Sequence, residues 1–340
     1  MRGVIFRGDC TLELENFPDP TPGPGEVVLE IKASGMCGSD LHVYRSPRVE
    51  STRPVIAGHE PCGVVVATGP GVVSPYARVG SRVMVHHYRG CAACEDCRSG
   101  WPQMCHAVPV TVYGSDAHGA HAPYMKVAAD TLVPLDDRLS FAAGAAISCG
   151  TGTAWGAFER MGLTGRDTLA VFGQGPVGLS ATLLAKAQGA RVIALDIDEN
   201  RRASAKAFGA DHVLNPRDCN VIDAVRELTA GRGATMTLET SGATAAAEDA
   251  MTCVRPWGTV CLVGIGAEIR FSLAKMLRSQ LRILPSWTMS IMAQKACADF
   301  SVERNVDLDS LFTDRWTLDQ AEEAYTKFNL QSGGKGVFLM

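Results

Sequence analysis

No run of apolar residues in this 340-residue sequence reaches the roughly 18 positions that a membrane span requires. Charge of one sign is not in excess either: 32 Lys and Arg against 36 Asp and Glu leave a formal net charge of −4. That balance gives no electrostatic reason to expect nucleic acid or an anionic membrane as partner. The opening residues, Met1-Arg2-Gly3-Val4-Ile5-Phe6, have too short an apolar run for a signal peptide and lack a small-residue cleavage pattern. The cytoplasm is therefore the expected location. Internal repeats and low-complexity tracts are absent too. What remains is an ordinary globular composition, 46% hydrophobic and 20% charged, in a chain long enough for two domains at roughly 150 residues each.

Cysteine is abundant, with 12 in the chain. Four of them, Cys91, Cys94, Cys97 and Cys105, follow a C-x₂-C-x₂-C-x₇-C pattern on one loop. In a reducing compartment such a cluster reads as a metal site rather than as disulfides. Zinc takes four tetrahedral thiolates well and, so closed, is structural. The ferredoxin alternative also begins C-x₂-C-x₂-C, but its next cysteine comes after three residues and precedes proline. Here seven residues intervene and His106 follows. Cys10, Cys62, Cys219, Cys253, Cys261 and Cys297 read as buried small residues.

The texture of the chain changes near residue 150. Before it, Glu26–Ile31, Gly63–Val66 and Arg82–Val85 read as short strands separated by turn residues, which points to a β-rich, mostly antiparallel domain. From Thr168, strands and helices alternate: a strand over Thr168–Phe172, a helix over Pro176–Gln188, a strand over Arg191–Asp196, a helix over Glu199–Phe208. The alternation continues to a strand over Thr259–Val263. This is the pattern of βαβ units and a parallel sheet, an α/β fold. The expected boundaries are 150–288 for the parallel-sheet domain and 1–149 with 289–340 for the other.

Gly173-Gln174-Gly175-Pro176-Val177-Gly178 fits the G-x-G-x-x-G turn between such a strand and helix. The first glycine permits the turn, the second lets a pyrophosphate approach the backbone, and the third allows close packing of helix on strand. Asp196, eighteen residues after Gly178, ends the next strand where an acid accepts ribose hydroxyls. Its charge favours NAD over NADP, although Arg201 and Arg202 nearby suit a 2′-phosphate.

Two further stretches, Gly35-Met36-Cys37-Gly38-Ser39-Asp40-Leu41-His42 and Gly58-His59-Glu60, precede the cysteine loop. With that loop and the glycine turn, in this order, the sequence closely resembles the zinc-dependent medium-chain dehydrogenase/reductase family over essentially its whole length. The resemblance implies a GroES-like catalytic domain joined to a doubly wound Rossmann domain, and an NAD-dependent alcohol dehydrogenase carrying two zinc ions per chain. By resemblance, Cys37, His59 and Cys149 hold the catalytic zinc, and Cys91, Cys94, Cys97 and Cys105 the structural one. Glu60 is an outer or occasional ligand, and Asp40 fixes His59 or the ligand loop. Ser39 and His42 would carry the alcohol proton outward.

The substrate signals are mixed. Cys-Gly-Ser-Asp-x-His is similar to polyol and threonine dehydrogenases, whereas a cysteine at 149 is similar to alcohol dehydrogenases. His87 and Tyr88 fall either in the substrate pocket or at a plain strand end. His118 and His121, on a Gly/Ala loop, read as solvated. A small alcohol or ketone is the expected partner, and the shortness of the chain resembles family members that form homo-oligomers, tetramers or dimers.

Overall fold

The structure is a computed structural model that describes residues 1–48 and 53–340, with Lys275 described by its backbone only. It divides into two compact units, one of residues 1–152, 289–331 and 335–340, the other of residues 153–288 and 332–334.

The first unit is built on a seven-stranded sheet. Its strands run in the order Phe312–Trp316, Lys335–Leu339, Glu26–Gly35, Glu60–Thr68, Arg82–Val85 and Leu132–Pro134, with Tyr124–Ala128 also paired to Glu26–Gly35. Every pair is antiparallel except Phe312–Trp316 with Lys335–Leu339. The period-2 alternation of Val27, Leu29 and Ile31 sends one face of the long central strand into a core with Val65, Val83, Val85 and Met125. A separate hairpin joins Arg2–Gly8 to Thr11–Asn16. Its turn residues, Asp9 at φ 49° and Cys10 at φ 57°, are both left-handed, as a type I′ turn demands. Cys10 is thus exposed, not a buried small residue as its sequence suggested. The same correction applies to Cys219, exposed in the loop before the Asn220 helix cap, whereas Cys62, Cys253, Cys261 and Cys297 are buried.

The second unit is a doubly wound parallel sheet. Its six strands run in the order His212–Leu214, Arg191–Leu195, Thr168–Phe172, Ala234–Glu239, Val254–Leu262 and Arg282–Pro285. Helices Pro176–Ala187, Glu199–Ala207, Val221–Leu228 and Thr244–Thr252 connect them. Strands buried on both faces read as continuous apolar runs, and Thr168–Phe172 is such a run. Strand Val254–Leu262 begins five residues earlier than Thr259. Pro256 and Gly258 look like a turn in sequence, but here they form an irregularity inside the strand, with pairing shifting from Ala234↔Val254 to Met236↔Thr259. The GroES-like and Rossmann folds are both present. Among the described residues no helix is long and apolar enough to cross a membrane.

Candidate functional site

Three segments of the first unit bring Cys37, His59 and Cys149 together. Cys37 follows strand Glu26–Gly35, His59 immediately precedes strand Glu60–Thr68, and Cys149 lies just past helix Phe141–Ile147. Their ligand atoms and a Glu60 carboxylate oxygen all lie within 4.8 Å of one another. The Cys37 and Cys149 sulfurs are 3.9 Å apart. Two thiolates on one tetrahedral zinc, each at about 2.3 Å, stand about 3.8 Å apart, so the donor set fits zinc. The two sulfurs hydrogen-bond to each other, which holds the Cys37 thiol well below its ordinary pKa and Cys149 well above. The Ser39 hydroxyl lies 3.2 Å from both Cys37 Sγ and His59 Nε2.

Asp40 fixes the orientation of the histidine. Its Oδ1 is 3.0 Å from His59 Nδ1, leaving Nε2 to face the sulfurs. Burial opposes charge on His59, but Asp40 and Cys37 outweigh it and raise the imidazole pKa well above its ordinary value. Burial would likewise raise the Asp40 carboxyl, yet His59 brings it down to about 2. Sequence reasoning missed the next layer outward. Tyr325 donates to Asp40 Oδ2 at 2.9 Å, and His121 bonds the Tyr325 hydroxyl at 2.7 Å. Lys335, 1% exposed, ion-pairs with Glu60 Oε2 and donates to the Met36 carbonyl. Burial pushes the Glu60 carboxyl up to about 8, against the opposing pull of Lys335. Glu60 Oε1 has no hydrogen-bond partner among the described residues.

The cysteine loop closes on itself. Cys91 Sγ is 3.9 Å from Cys97 Sγ, Cys94 Sγ is 3.8 Å from Cys105 Sγ, and all four sulfurs lie within 4.8 Å of one another. Disulfide sulfurs stand about 2.05 Å apart, so these are four free thiols at zinc-tetrahedron spacing. Backbone N–H groups favour the charged form of two of them, whereas burial pushes the Cys97 thiol up to about 12. Val108 and Cys91 lower the Cys105 thiol to about 6, and Ala93 and Cys94 lower that of Cys91.

In the second unit the glycine turn has three distinct environments. Gly173 sits at φ 85°, open only to glycine without strain. A Cβ on Gly178 would strike the Gly173 carbonyl, so that position demands glycine for packing. A Cβ on Gly175 would meet nothing within 4 Å, and Gly175 caps the helix that starts at Pro176 and Val177. That is an open cradle at a 12-residue helix N-terminus, suited to a pyrophosphate. Asp196 accepts from the backbone N–H of Gln174 at 2.6 Å and of Asp198 at 2.8 Å, and retains lone pairs for further donors. Arg201 Nε is buried without a partner among the described residues.

Residues 23–137 match the alcohol dehydrogenase GroES-like domain, and residues 176–303 match the zinc-binding dehydrogenase family. An uncharacterised zinc-type alcohol dehydrogenase-like protein of Escherichia coli K12 is 36% identical over 98% of this chain and 96% of its own length. The chain belongs to the zinc-dependent medium-chain dehydrogenase/reductase family. Within it, the sorbitol dehydrogenase of Bacillus subtilis is 31% identical over 95% of this chain and 92% of its own. The solved alcohol dehydrogenase of Thermus sp. ATN1 superposes with a TM-score of 0.92 at 26% identity, covering 100% of this chain and 99% of that one. As a member of this family the chain is a zinc-dependent, alcohol-type oxidoreductase acting on small molecules.

The remaining histidines divide. His42 is exposed on the short helix Asp40–Tyr44. His87 and Tyr88 are buried, and the His87 ring lies 5.1 Å from that of His59. His118 is exposed, its ring edge-on to Phe17. His121 contradicts the expectation of a solvated side chain: it is fully buried, between Ser34 and Tyr325. Small neighbours, Ala120 and Ala122, let that loop sink into the protein, where their composition had suggested a surface.

Proposed function

We propose that this dehydrogenase reversibly oxidises a secondary alcohol, diol or polyol to the carbonyl, with hydride transfer to NAD. The reading assigns two zinc ions per chain, one to Cys37, His59 and Cys149 and one to Cys91, Cys94, Cys97 and Cys105. Its chief support is the convergence of two sulfurs and an imidazole nitrogen within 4.8 Å, with the Ser39 hydroxyl against both donor types. Zinc held there supplies a Lewis acid that makes a bound alcohol more acidic.

The chain's own residues do the rest. Ser39 Oγ would accept the alcohol proton while giving up its own hydroxyl proton outward, and His42, one helical turn along and exposed, would pass that proton to solvent. Glu60, paired to Lys335, keeps a spare oxygen beside the ligand atoms. Gly173, Gly175, Pro176, Val177 and Gly178 cradle the pyrophosphate, Asp196 accepts the ribose hydroxyls, and Arg201 borders the same turn. The Asp196 carboxylate repels a 2′-phosphate, which favours NAD over NADP. His87 and Tyr88, buried beside His59, face the substrate. None of the twelve cysteines is bridged by a disulfide, which suits a reducing compartment, the cytosol.

The test is a screen of secondary alcohols, diols, polyols and amino alcohols with NAD and with NADP, read as reduced-cofactor absorbance. Activity that appears with NAD and disappears on chelation supports the reading. Turnover that survives complete zinc removal, or that occurs only on enones or quinones, sinks it.

A further inference from the structure

His59 is held by one oxygen of Asp40, and the other oxygen decides where that carboxylate points. Oδ2 accepts twice, from the Cys37 backbone N–H at 2.9 Å and from the Tyr325 hydroxyl at 2.9 Å. A carboxylate pinned at one oxygen cannot rotate, so its free oxygen is aimed at His59 Nδ1. Tyr325 itself is fully buried among Phe6, Tyr44, Phe328 and Phe338. Phenylalanine would fill that space as well, and a buried hydroxyl is costly unless bonded. Packing does not account for the hydroxyl; the bond to Asp40 does.

The bonds beyond Tyr325 set the direction of donation. His121 lies between the Tyr325 hydroxyl at 2.7 Å and Ser34 Oγ at 2.7 Å. If the Tyr325 hydrogen pointed at His121, its oxygen would face Asp40 Oδ2 with no hydrogen between them. The hydrogen therefore points at Asp40, His121 donates through Nε2–H, and Nδ1 accepts from Ser34. Burial, which pushes the His121 pKa down to about 4, keeps the ring neutral and in this one tautomer. The same loop is tied to the metal loop by its backbone: His121 N–H donates to the Ala57 carbonyl and Ala120 N–H to that of Gly58. Gly58, at φ 90°, has no room for a Cβ against the His121 ring.

We infer that Tyr325 is a positioning residue for the catalytic metal centre, acting through Asp40 on His59, with His121 and Ser34 orienting its hydroxyl. This rests on the reading of Cys37, His59 and Cys149 as zinc ligands. Outer-layer partners of this kind change metal affinity by about 10–100-fold.

The test is zinc release from the whole protein into a colorimetric chelator. The unaltered protein should release its zinc in two phases, and the phase missing from Cys149→Ala belongs to the catalytic centre. Tyr325→Phe should speed that phase by about tenfold or more and leave the other within about twofold. His121→Leu should do the same, whereas His121→Gln, which keeps an N–H for the Tyr325 hydroxyl, should restore the slow release. Tyr44→Phe removes a hydroxyl that bonds Thr326, in the same aromatic cluster, and should change neither phase. If Tyr325→Phe folds poorly, the His121 pair carries the comparison. Equal acceleration of both phases, or none in either Tyr325→Phe or His121→Leu, overturns the inference. If Cys149→Ala retains both phases, the ligand reading itself is what fails.

Discussion

Asp40 bridges two of the proposed zinc ligands at once, accepting from the Cys37 backbone N–H and the His59 Nδ1–H through different oxygens. Neither residue can shift without straining the bond to the other. The two sulfur sites therefore differ in kind. The Cys91–Cys105 loop holds its geometry by local backbone bonds, whereas the Cys37 centre depends on side chains from distant parts of the chain.

Replacement of single ligands should separate the two. Cys94→Ser should lower the melting temperature, because structural zinc binding is coupled to folding. Cys149→Ala should abolish turnover in a protein that remains folded. Metal analysis should find about two zinc ions per unaltered chain. A count of one, or the presence of iron, contradicts the assignment.

Cofactor choice turns on Asp196. An Asp196→Ala protein should bind NAD about 10–100-fold more weakly, as expected for loss of charge-assisted hydrogen bonds. It should also gain in relative use of NADP. Steady-state kinetics in which the unaltered protein already prefers NADP would refute the assignment.

For the proton path, His42→Gln should slow alcohol oxidation by up to about 100-fold, the lower end of what a positioned base contributes. Small basic buffers should recover most of that loss. Single-turnover formation of reduced cofactor is the measurement to use, since cofactor release can mask the step. Rates indifferent to both substitution and buffer eliminate His42 from the path.

His121 predicts a pH dependence of stability. Burial sets its folded pKa at about 4, with Asp40 raising it and His59 lowering it, against about 6.5 for an unfolded histidine. The unfolded chain takes up the proton first, so this contribution is complete above about pH 6.5 and lost as the pH falls through about 4. It amounts to about 3 kcal/mol over that window. The stability difference between the unaltered protein and His121→Gln should shrink between pH 7 and pH 4.5 in denaturant titrations. A constant difference would show that folding leaves the His121 pKa unshifted, and a growing one that the folded ring already carries its proton at pH 7.

Local signals explain what could be read in advance. Cys37, Ser39, Asp40, His59 and the cysteine loop lie in short motifs, and the largely apolar strands Thr168–Phe172 and Arg191–Leu195 stand out because a parallel sheet buries both faces. The outer layer carries no such mark. His121 and Tyr325 are 204 residues apart in the chain, and Tyr325 and Asp40 are 285 apart. Lys335 is a lone cation among glycines, and only its sheet partners reveal that it is buried. Cys10 carries no mark of its exposure because the two central turn positions hold Asp9 and Cys10, where asparagine and glycine are the usual signal of left-handed backbone.

One rung of the first sheet has a consequence for synthesis. Gly35 pairs with Glu60 on one side and Val337 on the other, so Cys37, His59 and Lys335 all stand within two residues of the same point in the ladder. Lys335 follows Met36 by 299 residues. At about 5–20 residues per second, a ribosome needs about 15–60 s to travel that distance. For most of that interval the Cys37 and His59 loops are already made while the Glu60 carboxylate has no counter-ion. A zinc ion arriving early meets an unfinished centre, because the strand that completes it is made well after the Cys37 and His59 segments.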